Sequence, residues 1–151
     1  MIKLNNKFAI GCLVQWYEVE MIGEYLESVY QSLDGITNKE NVVVDICFNL
    51  AQNLEKIDRE KMELGEIFKR FVEIRNDFSS RHVNSRVNFY PKSIEQATHK
   101  NIKPYTIADY RREFNERYCE KVDVLMWGES DSLIPRQTFQ ILDSLHTQVK
   151  D

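Results

Sequence analysis

Glycine and proline are scarce in this chain, five and three in 151 residues, and no low-complexity tract separates its apolar segments. A single compact domain over residues 1–151 is expected, because a chain of this length buries roughly two-thirds of its unfolded surface and leaves little for a second core. With 42% hydrophobic and 29% charged residues, disorder is not expected. No apolar run approaches the roughly 20 residues of a membrane helix. The longest early stretch, Phe8 to Val14, passes directly into polar and aromatic residues without a small-residue cleavage site. Basic charge is not in excess either. The net charge of −4 gives no field for a nucleic-acid backbone, although a local group at Arg81, His82 and Arg86 stays open.

Cysteine is equally sparse. Cys12, Cys47 and Cys119 are odd in number, far apart and without a ligand-spaced histidine, so neither a disulfide framework nor a zinc site is implied. Cys12 and Cys47 lie in strand-like apolar runs and read as core residues, which fits a reducing, cytoplasmic compartment. His82, His99 and His146 stand alone and receive no role.

What is present is an alternation of strand-like and helix-like segments. Phe8 to Val14 and Val42 to Phe48 are continuous apolar runs, as expected of strands covered on both faces. Between them, Ile22, Tyr25, Leu26, Val29, Tyr30 and Leu33 recur at helical spacing up to Asp34-Gly35. A second helical stripe, Leu64, Ile67, Phe68, Phe71 and Val72, is predicted to end before Asn76-Asp77. A short strand is predicted at Val87 to Tyr90. A third helix follows through Ile107, Tyr110, Phe114 and Tyr118, then a buried strand from Val122 to Trp127. Pro135 suits the first turn of a last helix carrying Phe139, Leu142 and Leu145. The order predicts an α/β fold with a mostly parallel sheet, helices on both faces and ligands at the carboxyl ends of the strands.

The turn after the first strand, Gln15-Trp16-Tyr17-Glu18-Val19-Glu20, contains no glycine. That excludes the glycine cradles of dinucleotide-binding domains and P-loops, in which the backbone itself approaches the phosphates. The last strand instead runs into Gly128-Glu129-Ser130-Asp131. Two carboxylates at a strand end suit a divalent cation that neutralises a diphosphate, a site that needs no glycine cradle; the plain alternative is a strand that ends in a solvated acidic turn.

The segment from Ile10 to Glu20, with Glu24-Tyr25-Leu26-Glu27-Ser28-Val29 after it, resembles the opening of family 2 glycosyltransferases. Those proteins carry a first strand, a Pro-x-Tyr/Phe-Asn-Glu-Glu turn and a helix with Leu-Glu-Ser-Val or a close variant. Trp127 to Pro135 is similar to the family's Asp-x-Asp segment with glutamate in the first acidic place. The helix bearing Arg111, Arg112 and Asn115 is similar to the Arg-Asn helix before it. The ordered resemblance runs from Phe8 to about Leu145. Gln15 stands where the family has proline and Glu18 where it has asparagine, and the Asp-Asp-Gly-Ser expected after the second strand is missing, leaving Asn49, Asn53 or Asp58 to meet a base or ribose.

The resemblance implies a glycosyltransferase-A type fold that binds a nucleotide diphosphate sugar donor with Mn2+ or Mg2+. Asp131 would be a direct metal ligand, Glu129 a second ligand or a contact to sugar or ribose, and Ser130 a spacer. Gln15, Tyr17, Glu18, Asn49, Arg111 and Asn115 fall on the nucleotide side, with Arg111 and Asn115 toward the diphosphate. Three of them also have a plain alternative: Tyr17 packing in the core, Arg111 as a solvated helix charge, Asn49 making a turn. Trp16 and Tyr105 are candidates for an exposed acceptor groove or a dimer contact. The family's acceptor-binding half and catalytic base lie beyond the acidic segment, so the site for a carbohydrate or lipid-linked acceptor is expected outside these residues. The alternative reading is a non-catalytic nucleotide-binding or protein-interaction module of the same α/β fold.

Overall fold

A computed structural model describes residues 1–51, 64–82, 84–97 and 102–150. Asn53 and Asp58 lie outside the described residues. Four strands, β1 (Phe8–Gln15), β2 (Val42–Asn49), β3 (Ser85–Tyr90) and β4 (Val124–Trp127), form one sheet in the order β3-β2-β1-β4. Every pairing is parallel. Parallel neighbours need long crossovers, and the helices supply them: α1 (Ile22–Leu33), α2 (Leu64–Arg81), the short α3 (Ile94–Ala97), α4 (Ile107–Tyr118) and α5 (Thr138–Lys150). The result is a Rossmann-like α/β sheet with helices on both faces, as the alternation predicts.

Period-two side-chain placement splits β1 between two cores. Phe8, Ile10, Cys12 and Val14 join residues of α1, α2 and α5 in the larger cluster, while Ala9 and Leu13 meet Tyr110, Phe114 and Tyr118 of α4 in the smaller one. With both faces covered, the strand has no polar side and its run of apolar residues is explained. Aromatic pairs fill the larger core, including Phe48 on Phe71 at 4.2 Å and Phe8 edge-on to Phe139 at 5.6 Å. The N-terminal segment is fastened to α5 by Asp143, a buried carboxylate that accepts from the backbone N–H groups of Asn5 and Asn6.

The chain leaves β1 through α1 to reach β2 on one side, and returns from β3 through α4 to β4 on the other. Strand order therefore reverses at the seam between β1 and β4. In open parallel sheets this switch point leaves a crevice outside the carboxyl ends of the two strands.

Several boundaries differ from expectation. The helix expected to stop before Asn76-Asp77 continues to Arg81, because Ile74 and Phe78 extend its buried stripe and the polar residues fall on the solvent side. The buried strand expected over Val122 to Trp127 is shorter, starts at Val124 and sits at the sheet edge, where Leu125 and Trp127 are exposed. Pro135 does not open α5; its carbonyl accepts from the Thr138 N–H ahead of the helix. Arg81, His82 and Arg86 form no basic patch: Arg81 pairs with Glu27, Arg86 with Asp45, and His82 is buried with Nε2 2.9 Å from the Val42 carbonyl. Among the described residues, no helix is long and apolar enough to cross a membrane.

Candidate functional site

A cleft of about 270 Å³ opens at the β1–β4 seam, bounded by the end of β1, the start of α4 and the Gly128–Asp131 turn. Its position follows from close approaches that only glycine permits. A Cβ on Gly11 would fall 2.6 Å from the Phe114 ring and from the Tyr110 hydroxyl, so α4 lies directly on β1 there. A Cβ on Gly128 would fall 2.6 Å from Cε2 of Tyr25, so the end of β4 rests on α1. The helix that forms the cleft's outer wall is capped at its mouth: the Thr106 hydroxyl accepts from the Asp109 N–H at 3.1 Å, and the Asp109 carboxylate accepts from the Thr106 N–H at 3.0 Å.

Six of the residues nominated from the sequence line this one cleft: Gln15, Tyr17, Glu18, Arg111, Glu129 and Asp131. They come from three separate segments. Tyr17 is exposed and meets Trp16 edge-on at 5.6 Å. Trp16 itself is fully buried, which removes it as a groove-lining aromatic. Its side chain fills the core under the turn, as an aromatic following a buried strand commonly does. Tyr105 is half-buried, its ring 4.7 Å from that of Tyr90 and its hydroxyl bonded to Glu113.

Glu18 is occupied on both oxygens. Oε1 accepts from the Gln15 N–H at 2.9 Å, and Oε2 accepts from the Ser130 hydroxyl. Ser130 is therefore more than a spacer: it is buried, and it ties the turn after β1 to the turn after β4 across the cleft floor. Asn49 is buried and turned inward, donating to the Gln15 side-chain oxygen at 2.9 Å and to the Tyr105 carbonyl at 2.7 Å while accepting from the Ala51 N–H. It supports Gln15 and is not a wall of the cleft. Asn115, one turn beyond Arg111, is also outside the lining.

Arg111 lies over Trp127, guanidinium carbon 4.6 Å from the ring centroid, and 3.9 Å from a Glu129 oxygen. Both partners of that ion pair are substantially exposed, so it contributes little to stability. Strand alternation does not carry through Glu129 and Asp131, because the Glu129 carbonyl accepts from the Ser132 N–H in a turn. Both carboxylates still face the cleft. Beneath them, burial first and then Glu18, Glu129 and Asp131 push the Cys12 thiol up, which keeps it protonated and unsuited to nucleophilic work.

The donor set decides whether a divalent cation fits. Among the described residues, no group of three or more histidine, cysteine, aspartate and glutamate side chains gathers closely enough to cage an ion alone. Asp131 makes no hydrogen bond or ion pair among the described residues, and Glu129 has only the long contact to Arg111. Two available carboxylates are what Mg2+ takes from a protein when phosphate oxygens and water complete its shell. The set fits a cation that arrives with its ligand.

Asp45 was not nominated from the sequence. It is fully buried in the middle of β2, with its carboxylate turned toward α4. The signal was there: a single carboxylate inside a β-branched run must find partners or be excluded from the core. No family model, no curated protein and no solved structure matches the chain.

Proposed function

We propose that the cleft binds the diphosphate of a nucleotide diphosphate sugar together with Mn2+ or Mg2+, as the donor-binding part of a glycosyltransferase-A type enzyme. The observation that carries the reading is the convergence of Glu18, Glu129, Asp131 and Arg111 in one cleft at the switch point of a parallel sheet. Three carboxylates against one guanidinium repel a bare diphosphate, so an anionic ligand enters with its own cation. The residues divide the work. Asp131 and Glu129 would hold the cation, which when bound supplies Lewis-acid stabilisation of charge on a departing nucleoside diphosphate. Arg111, held over Trp127, offers its outer N–H groups to phosphate oxygens. Tyr17, exposed at the cleft rim, is free to cover the nucleoside, while Gln15 is held in place by Asn49. Glu18 braces the floor.

Thermal unfolding with UDP, GDP, dTDP and CMP, each with and without Mn2+, tests the reading. At 100 times Kd, binding adds about 2.7 kcal/mol of stability. A Mn2+-dependent shift with at least one nucleotide is expected for the wild type, and its loss in Asp131→Asn. No Mn2+-dependent shift with any nucleotide, or an equal shift in Asp131→Asn, overturns the reading.

A second reading has its own observation. Leu125, Trp127 and Leu133 are exposed at and beside β4, and exposed apolar residues along an edge strand suit a protein-interaction module. A negative nucleotide series favours it.

A further inference from the structure

The buried carboxylate of Asp45 takes four side chains at once. Oδ1 accepts from the Tyr110 hydroxyl at 2.7 Å; Oδ2 accepts from the Tyr118 hydroxyl at 2.7 Å and faces Arg117 at 3.2 Å and Arg86 at 3.5 Å. Three of these partners, Tyr110, Arg117 and Tyr118, belong to α4, and the fourth to β3. One central strand therefore grips both ends of the helix that walls the cleft. Replacing a buried ion pair by apolar residues is commonly neutral or stabilising, so stability alone is a poor account of such an arrangement. Its geometry gives a better one. A helix packed only through Phe114 and other apolar side chains can rotate or slide by small amounts, whereas directional bonds to a fixed carboxylate set its rotation and its height along the sheet.

Tyr110 makes the connection to the cleft. It is the residue before Arg111, it lines the cleft itself, and its hydroxyl sits over Gly11. We infer that Asp45 is a positioning residue for Arg111, acting through Tyr110 to hold the guanidinium over Trp127 at the cleft mouth. The inference rests on the proposed reading only for its significance, since the placement of Arg111 is observable without any ligand.

Trp127 reports that placement. The chain has two tryptophans, Trp16 fully buried and Trp127 47% exposed. Collisional quenching of fluorescence by acrylamide thus reads Trp127, and a Trp127→Phe variant subtracts the Trp16 signal. Arg111→Ala, which uncovers the ring, sets the upper value of the quenching constant. Asp45→Asn keeps the side-chain shape but loses the charge and one acceptor, and is expected to raise quenching toward the Arg111→Ala value. Tyr110→Phe deletes only the hydrogen bond nearest the cleft and is expected to move quenching in the same direction. Tyr118→Phe deletes an equal bond at the far end of α4 and is expected to lower the melting temperature while leaving quenching at the wild-type value. Should Asp45→Asn not fold, the two tyrosine variants carry the test. Wild-type quenching in Tyr110→Phe, or equal increases in Tyr110→Phe and Tyr118→Phe, overturns the inference, the second because it indicates a general loosening of the helix. Neither result depends on nucleotide or Mn2+, so failure here and failure of the donor-site reading are separate outcomes.

Discussion

Glu18 and Ser130, 112 residues apart in the chain, are hydrogen-bonded across the floor of the cleft. The bond joins the turn that follows β1 to the turn that follows β4, and each residue sits beside one that the proposed donor site uses. Removing the hydroxyl in Ser130→Ala leaves a Glu18 oxygen without its donor in a partly buried position. The expected cost is about 1–2 kcal/mol in urea unfolding. Glu18→Gln, which retains an oxygen that can accept, is expected to cost less than Ser130→Ala. The reverse order would mean that Glu18 works mainly through its charge.

The two glycines at the seam are expected to resist enlargement. Gly11→Ala drives a methyl group into Phe114 and Tyr110, and Gly128→Ala drives one into Tyr25, whose rings are buried and cannot swing out. Overpacking of this kind costs about 1–3 kcal/mol each. Gly23→Ala is the control, because nothing lies within 4 Å of the added Cβ and it falls within α1. It is expected to stabilise by roughly 0.5–1 kcal/mol through helix propensity. Similar effects at all three positions would remove the steric explanation.

Tyr25 carries a buried hydroxyl with no hydrogen-bond partner among the described residues. Burial also raises its pKa well above the ordinary phenol value, with Cys12 adding to the shift, so the group stays neutral. An unsatisfied donor in a core costs free energy without return. Tyr25→Phe keeps the ring against Gly128 and is expected to leave stability unchanged or raise it by about 1 kcal/mol. A loss of stability would reveal a buried partner for the hydroxyl, such as an internal water.

His82 gives the fold an acid limb. Burial lowers its pKa below the ordinary value of 6.5, partly opposed by the hydrogen bond to the Val42 carbonyl. The folded chain thus binds this proton less readily than the unfolded chain. The stability is present above pH 6.5 and drains away as the pH falls from there through the depressed folded value. Melting temperature measured from pH 7.5 to 5 is expected to fall more steeply for wild type than for His82→Gln. Parallel curves would assign the acid limb to other groups.

The sequence was most legible where local pattern and burial coincide. β1, α1 and β2 follow from unbroken apolar runs and from the spacing of Ile22, Tyr25, Leu26, Val29 and Leu33, because strands covered on both faces and one-sided helices leave different periods. The gathering of Glu18, Glu129 and Asp131 was legible as well, since strand ends in a parallel sheet share one side, whereas Arg111, on α4, was named only through the family resemblance. β4 was misjudged because an apolar run has the same composition at the edge of a sheet as at its centre; only strand order places Leu125 and Trp127 in solvent. Asn49 and Ser130 changed roles for a related reason. Both face partners distant in sequence, Tyr105 and Glu18, which no local pattern brings near.

The three thiols are chemically unequal. Burial is the main cause that pushes the Cys47 thiol up to about 12 and drives Cys12 higher still, whereas Cys119 is exposed at the cap that ends α4. A maleimide added to the folded chain should therefore attach once, at the foot of the helix that carries Arg111. The unaltered protein already offers a single handle for a spectroscopic label, and full labelling of all three sites becomes a direct count of how many molecules have opened.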